Sequence, residues 1–73
     1  MARAAVIGEA VRTEGFALAG AFVLPAENPA EARAAWDALP ADIAVLVLTP
    51  RAAAWLGEAP QSRRAVLLAV MPP

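Results

Sequence analysis

A chain of 73 residues with six arginines, no lysine, seven scattered acids and a net charge of −1 has room for one small domain and offers no basic patch to nucleic acid. The absence of cysteine excludes disulfides, thiolate nucleophiles and cysteine-held zinc, and the absence of histidine removes the commonest general base and metal ligand. Hydrophobic residues make up 60% of the chain, but alanine dominates that count, so the bulky anchors reduce to Phe16, Phe22, Trp36, Trp55 and the aliphatic runs.

The first residues reach Gly8 and Glu9 too soon to supply the apolar region of a signal peptide, and no charge-free run nears the roughly 20 residues of a membrane span. The expectation is a cytoplasmic chain without membrane insertion.

The first apolar run, residues 4–7, ends at Gly8 and reads as a short strand. Residues 10–19 follow with helical spacing. Gly15 inside this helix costs about 1 kcal/mol relative to alanine, and Val11, Gly15 and Leu18 share one face. The expectation is that Gly15 brings the helix backbone close to the sheet or to a partner. Phe16 lies beside that face, open to a partner, and Gly20 stops the helix before a second strand at 21–24.

Residues 28–39 predict a second helix, with Asn28 as N-cap, Pro29 at the first helical position and Glu31 completing a capping box. Ala32, Ala35, Trp36 and Leu39 fall on one face, with Arg33 and Asp37 paired on the other. The uninterrupted IAVLVL run at 43–48 suits a strand covered on both faces. Thr49 then caps a short third helix opened by Pro50 and closed by Gly57, with Ala52, Trp55, Leu56 and Ala59 inward. A fourth strand at 65–70 precedes two prolines. This alternation predicts a small three-layer α/β domain, Rossmann-like or flavodoxin-like. Its four-stranded parallel sheet has the order second, first, third, fourth.

Ligands of such sheets bind beyond the carboxyl ends of the strands. There the sequence GEAVRTEG lacks the second and third glycines of a dinucleotide fingerprint, and no phosphate loop is present. Glu9 and Glu14 read as a helix-dipole charge and a solvated side chain rather than an acid-base pair, and Ser62 lacks a nucleophile's partners. No catalytic residue, metal ligand, cofactor or small-molecule ligand is expected. A phosphorelay receiver shares the architecture, but Thr49 stands where its acceptor aspartate belongs and Glu9 is alone; a degenerate receiver-like interaction module stays open.

Taken in order, VIG-x5-EGFALAGA, the helix EARAAW, DIAVLVLTP and VLLAVMPP resemble the F subunit of the V-type and A-type ATPases (ATP synthases) across nearly the whole chain. The most specific piece is Gly15-Phe16-x-Leu18-Ala19-Gly20 soon after a Val-Ile-Gly strand. The resemblance implies a single non-catalytic domain over residues 1–73 in the central stalk, or rotor, of a rotary ATPase. Such a domain binds the long coiled-coil D subunit of the stalk, turns within the catalytic hexamer and couples ATP hydrolysis or synthesis to ion or proton transport. It is peripheral to the membrane as part of the complex. Gly8, Gly15, Phe16, Leu18, Gly20, Thr49 and Pro50 are the candidate structural or interface residues. Family members continue into a C-terminal segment with a helix, which the residues up to Pro73 do not include; the resemblance then implies a fragment or a short variant with weakened stalk binding.

Overall fold

The computed structural model describes residues 3–18, 20–62 and 67–72. The elements alternate as β1 (Arg3–Gly8), α1 (Ala10–Leu18), β2 (Phe22–Pro25), α2 (Pro29–Asp37), β3 (Ile43–Leu48), α3 (Pro50–Leu56), a 3-10 turn (Ala59–Ser62) and β4 (Leu67–Val70). The strands form one sheet in the order β2-β1-β3-β4, and every pairing is parallel, as the alternation predicts. The expected start of the fourth strand, residues 65 and 66, lies outside the described residues.

From Ala4 in β1 and Ile43 in β3 onward the two central strands are apolar, and β1 is covered on both faces, by α1 on one side and by α2 and α3 on the other. Ala5 and Ile7 pair with Leu46 and Leu48 and point to the side of α2 and α3. There they meet Ala32, Ala35, Trp36, Leu39, Ala52 and Leu56 in one core, with Trp55 half-buried against it. Ile7, Leu46 and Leu48 are wholly enclosed, and burial of such side chains stabilises by about 1.5–3 kcal/mol each.

The second helix starts as its capping signals dictate. The Asn28 side chain accepts the Glu31 N–H at 2.8 Å, with Pro29 at the first helical position. The reciprocal half of the capping box shifts by one residue: the Glu31 carboxylate accepts the N–H of Glu27 instead of that of Asn28. Arg33 and Asp37 form the expected exposed pair, 3.8 Å apart. Gly20 takes a φ of +87°, which its missing Cβ permits, and this turns the chain from α1 into β2.

The orientation of α1 corrects the sequence reading. Val11 is 80% exposed, and a Cβ on Gly15 would meet no atom within 4 Å, so this face points away from the sheet. Thr13 takes the inward position, fully buried, with Phe16 half-buried beside it. The cause is the length of the connection. One residue, Glu9, joins β1 to α1, and its carbonyl accepts the N–H groups of Arg12 and Thr13. That tight turn sets the rotational phase of the helix, and at 3.6 residues per turn Val11 lies on the opposite side from Thr13. The buried hydroxyl is satisfied by the Glu9 carbonyl at 3.1 Å. With no intramolecular contact to lose, Gly15→Ala should raise stability by about 0.5–1 kcal/mol through helix propensity. Urea unfolding at low micromolar concentration checks this; a destabilised variant would restore the close-approach reading within the monomer.

Candidate functional site

The strand order reverses direction between β1 and β3, and the carboxyl ends of these two strands define the crevice in which open α/β sheets bind ligands. Three ladder bonds continue past the strand ends: Ala26 N–H donates to the Gly8 carbonyl at 2.8 Å, Thr49 N–H to Ile7 at 3.1 Å and Met71 N–H to Leu48 at 2.8 Å. They align the loops after all four strands along one edge.

Gly8 and Thr49, two of the residues singled out from the sequence, meet here. A Cβ on Gly8 would stand 2.8 Å from the Thr49 Cβ and closer still to its methyl and hydroxyl. Gly8 is thus needed for the approach of two loops to each other, not of a loop to a phosphate. Thr49 is fully buried. Its hydroxyl accepts the Ala52 N–H at 3.2 Å, which caps α3 above Pro50, and donates to the Glu9 carboxylate. The first and third loops are therefore tied together by a side-chain bond across the switch point.

Two further side chains of this edge, exposed at the surface, are bound by the chain's own backbone. The Glu27 carboxylate accepts the Ala10 N–H at 2.8 Å, at the opening of α1, where an anionic ligand of such a fold would sit. Arg12 reaches from α1 to donate to the Pro72 carbonyl at 2.9 Å. Among the described residues, no group of three or more Asp, Glu, His or Cys is placed to hold a metal ion, and no buried side-chain nitrogen or oxygen lacks a hydrogen-bond partner. No helix in the described residues is long and apolar enough to cross a membrane.

Of the other residues singled out, Gly15 and Phe16 lie along α1 and Gly20 beyond its end, away from the crevice. Leu18 ends α1, and its side chain lies outside the described residues. Sequence reasoning missed Glu9 as the partner of Thr49 and Glu27 as the partner of α1. The signal was partly available: in a β2-β1-β3 order the residues just after the first and third strands must be neighbours.

The Thr49 hydroxyl holds the Glu9 carboxyl below the usual glutamate range, helped by a backbone hydrogen bond and by the charges of Arg12 and Arg51. Arg3 does the same to Asp42 at the other end of the sheet, where its guanidinium makes two hydrogen bonds of 2.8 and 2.9 Å. A carboxyl with a lowered folded-state pKa contributes stability above its unfolded value and loses that contribution as pH falls through the folded one. The stability gap between the parent and Glu9→Gln should thus be present at neutral pH and close below about pH 4. Urea titrations from pH 7 to pH 2 test the sign; a gap that widened in acid would contradict it.

No protein-family model matches the sequence, and neither does any curated protein or solved structure.

Proposed function

We propose that this chain is a non-catalytic central-stalk component of a rotary ATPase of the V or A type, acting by binding and transmitting torque. The observation that carries the reading is the state of the carboxyl-end crevice. Its switch point is closed by the Thr49–Glu9 bond, and the first N–H of α1 is taken by the chain's own Glu27. A domain whose crevice groups are bound by its own side chains is suited to act through surface complementarity. The order of the VIG strand, the helix that ends in EGFAL and the IAVLVL strand supports the rotary-ATPase assignment, since these segments fall on β1, α1 and β3 of a parallel sheet. On this reading the partners are the coiled-coil stalk protein and the hexamer around it, and the location is the cytoplasmic side of a membrane-bound complex.

Thermal unfolding with either ATP or a purified coiled-coil stalk protein tests the reading. A partner that binds only the folded state stabilises by mass action, by about 2.7 kcal/mol at a hundred times its dissociation constant. The melting temperature should rise with the stalk protein and ignore ATP. Saturable ATP binding in the micromolar range, or no response to the stalk protein at high concentration, would count against it.

A further inference from the structure

Among the described residues, no helix covers one half of one sheet face. On the side opposite α2 and α3, α1 packs on β1 and β2. The residues of β3 and β4 that point to this side are Val45 and Val47, in register with Leu67 and Ala69. Val45 and Val47 are only half-buried, Ala69 is exposed and Leu67 is 69% exposed. Two strands are about 10 Å wide, the width of one helix with its side chains. The bond from Arg12 of α1 to the Pro72 carbonyl crosses the end of this groove at the carboxyl edge.

A second unexplained feature lies next to it. The outward face of α1 carries Val11, 80% exposed, and Gly15, whose cost to the helix no contact among the described residues offsets. An exposed ridge of one-helix width thus stands beside an exposed groove of one-helix width. We propose that the domain pairs face to face with a second copy of itself, the α1 ridge of each copy filling the β3–β4 groove of the other.

A two-fold axis running along the strands, midway between α1 and the groove, satisfies the geometry. It carries α1 onto the uncovered half of the opposite sheet and places the two α1 helices side by side between the sheets. Such an isologous contact uses both features twice. Val11, in the first turn of α1 at the carboxyl end of the strands, then meets the facing Val47 and Ala69, and Gly15, one turn on, lets the helix backbone lie close to the facing Leu67. A contact confined to one helix face and two short strands falls at the lower limit of specific interfaces, about 1,000 Å² in all. The pairing is therefore a concentration-dependent equilibrium. Edge-to-edge pairing through β4 would leave both Val11 and the groove in water. This inference concerns the domain by itself and does not depend on the stalk assignment.

Sedimentation equilibrium of the whole chain from about 10 µM to about 1 mM tests the proposal. The expected result is a sedimenting mass that doubles with concentration. Val11→Arg should weaken dimerisation at least tenfold while the far-UV spectrum and the melting temperature at 10 µM stay unchanged. Leu67→Arg should act in the same direction. Leu68→Arg, on the opposite face of β4, should leave the dimer intact. A chain that stays monomeric at 1 mM overturns the proposal and leaves the groove to a helix of another protein. A dimer broken by Leu68→Arg but not by Val11→Arg overturns it in favour of pairing through the β4 edge.

Discussion

Leu46→Ala is expected to remove about 2–5 kcal/mol of stability, the range for truncating a fully enclosed leucine. Leu46 is 0% exposed at the centre of the sheet, paired with Ala5 on one side and Leu68 on the other. Its neighbours are small or held by hydrogen-bonded strands. Alanines at 5, 32, 35 and 52 line the same core and are too short to refill the space, so the place of the loss within this range depends on how far Trp36, Leu39 and Leu56 shift. A domain of this length has a total stability of roughly 4–11 kcal/mol, so the loss is a large fraction of the whole. At about 4–8 °C per kcal/mol the melting temperature should fall by at least about 8 °C. Leu68→Ala, on a strand where every residue is exposed, should change stability by less than about 0.5 kcal/mol. Similar losses in the two variants would mean that Leu46 is not a core anchor.

The parts of the fold that sequence made legible are those where one local rule acts alone. Asn28-Pro29 and Thr49-Pro50 announce their helices because cap and first-turn chemistry need no tertiary context. The run at 43–48 announces a central strand because no polar residue interrupts it. Strand order then follows from handed crossovers, which is why β2-β1-β3-β4 was accessible without any contact information. The rotation of α1 was not accessible in this way. Its apolar stripe at Val11, Gly15 and Leu18 competes with a one-residue connection at Glu9, and the connection decides. A helix with a polar residue inward and a valine outward looks misassigned from periodicity, yet its buried Thr13 hydroxyl is satisfied within its own first turn.

The candidate site was legible in its residues more than in its arrangement. Gly8 and Thr49 stood out separately, one as a strand end and the other as a helix cap, and their contact depends on a side chain crossing between adjacent strands. Glu9 and Glu27 could not be assigned partners, because each bonds to a group distant in sequence, Thr49 in one case and Ala10 in the other. Such links depend on which loops the sheet brings together. They also explain why an edge that resembles a nucleotide fold in topology is closed in its chemistry.

Gly8→Ala is the sharpest test of that closure and should cost about 1–3 kcal/mol, the range for forcing an extra carbon into a packed interior. The upper part of the range is expected because neither side can withdraw. Gly8 is held on one side by its pairing with Pro25 and by the Ala26 N–H on its carbonyl. Thr49 is held by its own N–H to Ile7, by its place as the cap of α3 and by the hydroxyl bond to Glu9. A new Cβ would therefore drive apart the first and third loops, and the Thr49–Glu9 bond would be the first interaction strained. Thr49→Ala alone should cost about 1 kcal/mol through the lost cap. In the double variant, the methyl and hydroxyl that crowd the new carbon are gone and only the Thr49 Cβ position remains close. The combined loss should then be smaller than the sum by about 1–2 kcal/mol, as for residues in direct contact. Urea unfolding of the four proteins at neutral pH and low concentration gives this coupling directly. Strict additivity would show that Gly8 and Thr49 do not share a contact, and the crevice would then have to be closed by Glu27 and the helix openings alone.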